Sequence, residues 1–174
     1  LIWAVESITS APDKNKFAAE AFRILKPGGK LIVADYFKTE TNIEDKHNWL
    51  KKWQECWSLS DYLSVNEYKN TFADQGLRIK RQGNITANIL PSSRIMYNAY
   101  LMGAIPSIIY NTFHNTSRFA KTHYKSGKYQ YKALKAKLWE YWVLVFEKEN
   151  LSSKINPDEL RLSAPSALQI PDPR

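Results

Sequence analysis

Phe22-Arg23-Ile24-Leu25-Lys26-Pro27-Gly28-Gly29-Lys30-Leu31-Ile32-Val33-Ala34-Asp35 is the stretch that decides the fold. Phe17, Ala21, Phe22 and Leu25 recur at helical spacing and give the segment before the turn one apolar face. Lys26 suits the negative end of a helix, and Pro27-Gly28-Gly29 stops it. Lys30 to Asp35 then reads as a strand, whose unbroken run Leu31-Ile32-Val33-Ala34 suits a parallel sheet covered on both faces. Upstream, Ser10-Ala11-Pro12-Asp13 offers Ser10 as N-cap with an acidic third position. Leu1 to Glu6 reads as a further buried strand. Strand, helix and strand form a right-handed crossover unit, and the class is α/β.

Working outward, a helix is expected at about 43–59, with Trp49, Trp53 and Trp57 four apart on one face. Ser64-Val65-Asn66-Glu67 fits a capping box, and Gly76 is placed to end the helix it opens. Leu77 to Ile85 alternates as a strand at the sheet margin does. The apolar segment from Ile95 to Phe113 is interrupted by Gly103 and Pro106, which predicts two short helices broken at 104–106. The stretch from His114 to Leu138 is basic and tyrosine-rich, with Gly127 as a break. Trp139 to Lys148 is apolar on both faces and reads as a central strand. These elements make one domain over 1–149, with helical acceptor-cover insertions at about 38–63 and 91–138. A proline-containing tail at 150–174 is expected to be flexible.

Composition narrows the classes. The chain has 174 residues, one cysteine and a net charge of +8. A lone Cys56 forms neither an internal disulfide nor a zinc site, which points to a reducing, cytoplasmic setting. His47, His114 and His123 lack metal-ligand spacing, so no metal is expected. No apolar run reaches the ~20 residues that span a bilayer, and no basic-then-apolar leader opens the chain. It starts inside a strand without an initiator Met, so residues upstream of Leu1 are expected to have been lost. No acidic residue lies between Asp74 and Glu140, whereas that interval holds eleven Lys and Arg. Such a field favours an anionic partner.

Trp3-Ala4-Val5-Glu6-Ser7, Ala11-Pro12-Asp13-Lys14 and Arg23-Ile24-Leu25-Lys26-Pro27-Gly28-Gly29 together resemble class I S-adenosylmethionine-dependent methyltransferases, within the branch of tocopherol and sterol enzymes. The resemblance covers residues 1–36 and extends to 64–87 and 138–148. It implies the C-terminal part of a Rossmann-like sheet, strands four to seven, with the N-terminal strands missing. It also implies S-adenosyl-L-methionine as cofactor and methylation of a small lipophilic acceptor at oxygen, carbon or nitrogen. The glycine-rich cofactor loop of that family, and its acidic ribose ligand, would lie upstream of Leu1. Cofactor binding by this chain alone is therefore expected to be poor.

Two strand ends are available for the chemistry, because ligands in open α/β sheets sit outside the carboxyl ends of strands. The resemblance and this placement make Glu6 the candidate catalytic residue and Val5, Glu6 and Ser7 the cofactor contacts. Ser10, Asp35, Tyr36, Trp49 and Trp53 are the candidate substrate contacts. Ser10 stands where many relatives have a histidine, and a serine is a far weaker base. The apolar-then-basic excursion before the last strand is expected to meet an anionic membrane surface, leaving the chain peripheral to it. Two other readings stand beside this one. The first is a nucleic-acid methyltransferase or binder using the basic stretch at 75–139, disfavoured by the absence of an RNA-binding motif. The second is a non-catalytic remnant or half of a split enzyme. Oligomeric state is left open.

Overall fold

The computed structural model describes residues 1–57 and 59–150; the tail expected from 150 onward thus lies, past Asn150, outside the described residues. In chain order the elements are β1 (Ile2–Val5), α1 (Lys14–Ile24), β2 (Lys30–Lys38), α2 (Trp49–Trp57), α3 (Val65–Asp74), β3 (Leu77–Asn84), α4 (Thr86–Phe113), α5 (Arg118–His123), α6 (Ser126–Lys135) and β4 (Trp139–Lys148). The sheet order is β1-β2-β4-β3. β1 and β2 are parallel, and β4 runs antiparallel between β2 and β3. The expected strand–helix–strand unit and the central last strand are therefore present.

Strand parity builds two cores, because successive residues of a strand point to opposite faces. Leu31, Val33 and Phe37 of β2, with Leu144 and Phe146 of β4, pack beside α1 and α3 around Ala18, Tyr68 and Phe72. On the opposite face Trp139 and Tyr141 of β4 pack with Trp53 of α2 and Ala133 and Leu134 of α6.

The deciding turn is held from the far end of the chain. Gly28 N–H donates to the Lys148 carbonyl at 3.1 Å, and Lys148 N–H donates to the Gly29 carbonyl at 2.9 Å. Lys148 Nζ also donates to the carbonyls of Phe22 (2.7 Å) and Leu25 (2.8 Å). A cation there satisfies orphan carbonyls at the end of α1 and complements its dipole. The capping box at Ser64 is formed in both directions, with Ser64 N–H donating to Glu67 at 2.6 Å and Glu67 N–H to Ser64 Oγ at 3.3 Å. Gly76 closes α3 at φ +81°, with Phe22 2.8 Å from where a Cβ would stand.

Several expectations are corrected. Among the described residues β1 pairs with β2 at one margin of the four strands, and Trp3 and Val5 are 64% and 54% exposed. α1 is capped by Asp13, which accepts from Lys16 N–H at 3.0 Å, so Ser10 is not its N-cap. α2 begins at Trp49, not near 43, because Asp45 takes the N–H groups of Trp49 (2.8 Å) and Leu50 (2.9 Å) and sets the first turn there. The predicted break at 104–106 is absent, and α4 is one helix of 28 residues that contains Pro91 and Pro106. Pro106 removes an N–H, but its position is exposed, so water can serve the freed carbonyl.

The basic segment breaks at 124–125, between α5 and α6, and Gly127 is not the breaking residue. It lies inside α6, buried, where α6 crosses α4 so closely that a Cβ would strike the Met96 carbonyl. Gly127→Ala is expected to cost about 1–3 kcal/mol through overpacking of that crossing. Gly103→Ala, with nothing within 4 Å of the added carbon, should gain up to ~1 kcal/mol of helix propensity. Urea unfolding of both variants checks the pair; equal midpoints would contradict the crossing.

Candidate active site at the strand ends

Because β1 and β2 are parallel, their carboxyl ends lie side by side. Glu6 is the residue that leaves β1, and it does so at φ +48°, in the left-handed region that a residue with a Cβ enters at a cost of ~1–2 kcal/mol. Its N–H still donates to the Ala34 carbonyl at 2.8 Å, so the chain turns away only after the last ladder bond. Val5, Glu6 and Ser7 are all exposed there.

The turn brings the Glu6 carboxylate over β2 to Tyr141 of β4, whose hydroxyl donates to Oε1 at 3.1 Å. Tyr141 stands opposite Tyr36 in the antiparallel register. The Tyr36 ring meets Trp53, Trp139 and Tyr141 edge-on, at centroid distances of 5.1, 5.3 and 5.2 Å. Such T-shaped packing fixes the ring and leaves little rotational freedom. Burial, and then the Glu6 carboxylate, push the Tyr36 phenol well above its ordinary range. The same two influences raise Tyr141. Both phenols therefore stay protonated, and Tyr141 is the donor to Glu6. The site is a carboxylate held by the protonated Tyr141 phenol above an aromatic floor, and it can orient a hydroxyl, take its proton or face a cation.

Asp35 is corrected by parity. It points to the opposite face from Tyr36 and is fully buried. Its carboxylate accepts from the N–H groups of Ile8 (3.0 Å), Thr9 (3.0 Å) and Tyr36 (2.8 Å) and from the Thr9 hydroxyl. Burial pushes its carboxyl above the usual range, and these donors pull it back. Asp35 is thus a clamp on the segment after β1, not a wall of the acceptor pocket. Lys14 extends the clamp: Nζ donates to the carbonyls of Thr9 (3.2 Å) and Ala11 (2.5 Å) and to Ser60 Oγ.

The structure brings Glu6, Tyr36 and Trp53 together through Tyr141 and the aromatic cluster, against which Trp49 also packs, and sets Ser10 and Asp35 apart from them. Ser10 is exposed on the loop before α1. Trp49 is half-buried and stacks on His47 at 4.5 Å. Trp53 is 1% exposed, so it supports Tyr36 from within the core instead of roofing a pocket. Tyr141 and Trp139 were missed. The alternation of Trp139, Tyr141 and Val143 already put them on one face, but nothing in the sequence says that this face meets Tyr36. Tyr62 stacks on Trp53 at 5.3 Å and links the aromatic cluster to a cleft of about 1090 Å³ between α2, the 59–63 loop and α5, also lined by Lys38, Leu50 and Phe119. Among the described residues no three His, Cys, Asp or Glu are grouped to hold a metal.

No family model matches the chain. Among curated proteins it is similar to the 2-methyl-6-phytyl-1,4-hydroquinone methyltransferase of Synechocystis, 30% identical over 81 residues, 44% of this chain and 26% of that protein. It is also similar to the chloroplastic tocopherol O-methyltransferase of Arabidopsis thaliana, 25% identical over 99 residues, 52% of this chain and 28% of that protein. The matched part thus spans about a quarter of these relatives' length. Among solved structures, a Galdieria sulphuraria protein assigned as a sarcosine dimethylglycine methyltransferase superposes with TM-score 0.64 at 18% identity, covering 85% of this chain and 52% of that one. The geranyl diphosphate C-methyltransferase of Streptomyces coelicolor gives 0.60 at 15% identity, covering 84% and 45%. The fold is that of the C-terminal part of class I methyltransferases, and the sequence resembles their tocopherol branch.

Proposed function

We infer that the chain serves S-adenosylmethionine-dependent methyl transfer to a small lipophilic acceptor, of the prenylated phenol or hydroquinone kind. The observation that carries this is Glu6: an exposed carboxylate, set by a left-handed backbone turn at the strand end and held by the Tyr141 hydroxyl. The names of the curated relatives support the acceptor class. When bound, the cofactor supplies an electrophilic methyl group. Val5, Glu6 and Ser7 are the residues that would hold it, and their exposure at the end of β1 fits that task. Glu6 takes the acceptor's hydroxyl proton as the oxygen attacks, and Tyr141 keeps the carboxylate aimed. Tyr36, braced by Trp53 and Trp139, limits how the acceptor ring can tilt. The buried thiol of Cys56 fits a reducing, cytoplasmic setting, which is part of this proposal.

The test is transfer of tritiated methyl from S-adenosylmethionine to prenylated hydroquinones and phenols, counted in the organic phase. Label in added RNA instead, or no label in any acceptor, would sink the reading. Tyr141→Phe removes one hydrogen bond to the carboxylate and should lower kcat about tenfold at nearly constant KM. Steady-state kinetics check that split; a rise in KM alone would make Tyr141 a binding residue.

A further inference from the structure

We propose that the outer half of α4 is an interfacial anchor that lies on an anionic lipid surface. The proposal concerns a partner of the chain and stands independently of methyl transfer.

α4 packs against α6 in its first half, where Gly127 meets Met96. Beyond that crossing its side chains project outward. Leu101, Ile105 and Ile108 follow at i, i+4 and i+7, and Met102, Ile109 and Phe113 form the adjoining row. All six are more than half exposed, with Met102 at 83% and Phe113 at 79%. A contiguous apolar stripe of this kind on a helix surface marks a contact site. No Asp, Glu, Lys or Arg interrupts the chain from Ile95 to Ser117.

The surroundings select the occupant. Arg94 shares the exposed face at the inner end of the stripe, and Lys121 is exposed on α5, the next helix in the chain. Lys128 Nζ lies 5.4 Å from the ring of Tyr100 on α4, and Lys125 Nζ lies 5.4 Å from the ring of Tyr124, which stacks on Tyr100. Arg94 thus borders the apolar stripe itself, Lys125 and Lys128 lie on the Tyr100 side of α4 toward α6, and no acidic residue between Asp74 and Glu140 balances this charge. A second copy of the chain would bring a net charge of +8 and the same Arg94 to the contact. An anionic bilayer surface answers both parts: acyl chains take the stripe, and head groups take Arg94 and Lys121. Among the described residues no helix is long and apolar enough to cross a membrane, so α4 lies in the interface instead of spanning it.

The experiment is flotation of the full chain with vesicles of phosphatidylcholine alone or mixed equally with phosphatidylglycerol, at low and moderate salt. It uses no cofactor or acceptor, so failure of the methyl-transfer reading does not affect it. The chain should float with the anionic vesicles, less with the neutral ones, and less as salt rises. Ile105→Asn with Ile108→Asn should weaken binding on the order of a hundredfold, and Lys121→Glu about tenfold. Phe113→Ser is the second apolar variant, at an exposed helix end where the fold is least involved. Three results would overturn the proposal: no flotation with anionic vesicles, flotation untouched by the apolar variants, or a dimer in sedimentation that the double variant dissociates while vesicles go unbound. Retention on RNA without flotation overturns it as well.

Discussion

Glu6→Gln should lower methyl transfer by about 10²–10⁴-fold while the melting temperature stays where it was. The substitution keeps the side-chain shape, the left-handed backbone at φ +48° and an oxygen to accept the Tyr141 hydroxyl, so the fold loses nothing. What disappears is the charge and the capacity to take a proton. Glu6→Gly makes the complementary case. Glycine relieves the left-handed strain of ~1–2 kcal/mol but forgoes the Tyr141 bond and gains chain entropy when unfolded, so stability should again hold to within about 1 kcal/mol. Thermal denaturation beside single-turnover kinetics reads both quantities. Full transfer by Glu6→Gln would remove Glu6 from the chemistry and leave Tyr36 and Tyr141 as positioning groups for some other base.

Asp35→Ala should destabilise the chain by about 3–5 kcal/mol, which is a large share of the ~5–15 kcal/mol that holds a domain together. Alanine leaves the N–H groups of Ile8, Thr9 and Tyr36 and the Thr9 hydroxyl facing a dry gap. Asp35→Asn is no remedy, since its amide nitrogen turns a donor toward donors. The segment after β1 loses its clamp, so Glu6, only two residues before Ile8, should lose its aim as well. Urea midpoints measure the first effect, and hydrogen exchange at Ile8 and Thr9 the second. A loss below ~1 kcal/mol would mean that the loop keeps its place by packing alone.

The contrast between these residues shows what the sequence could reveal. The Lys26–Lys30 turn, the box at Ser64 and the run at 139–148 each rest on local rules of capping or alternation, and each appears where expected. Glu6 was legible as a strand end. Asp35 and Tyr36 were assigned to one pocket, although adjacent strand residues cannot share a face; parity alone would have separated them. Tyr141 was not legible as a partner of Glu6, because that contact joins residues 135 positions apart through antiparallel register. The unbroken α4 was hidden by Pro106, whose local penalty is tolerable where solvent reaches the freed carbonyl. Gly127 looked like a break because its actual role, the close crossing with Met96, is tertiary.

The position of β4 bears on how the chain assembles during synthesis. Among the described strands, the last to leave the ribosome is the one that lies between β2 and β3, with Glu147 opposite Lys30 and Lys148 opposite Leu77. Until then β2 and β3 have no common neighbour among the described strands. Such long-range pairing is slow to form and exposes strand edges meanwhile. The nascent chain must therefore wait with Leu31, Val33 and Leu77 partly uncovered, and closure comes in one late step once residues 139–148 are free. A holdase acting on the growing polypeptide would find its substrate in that interval.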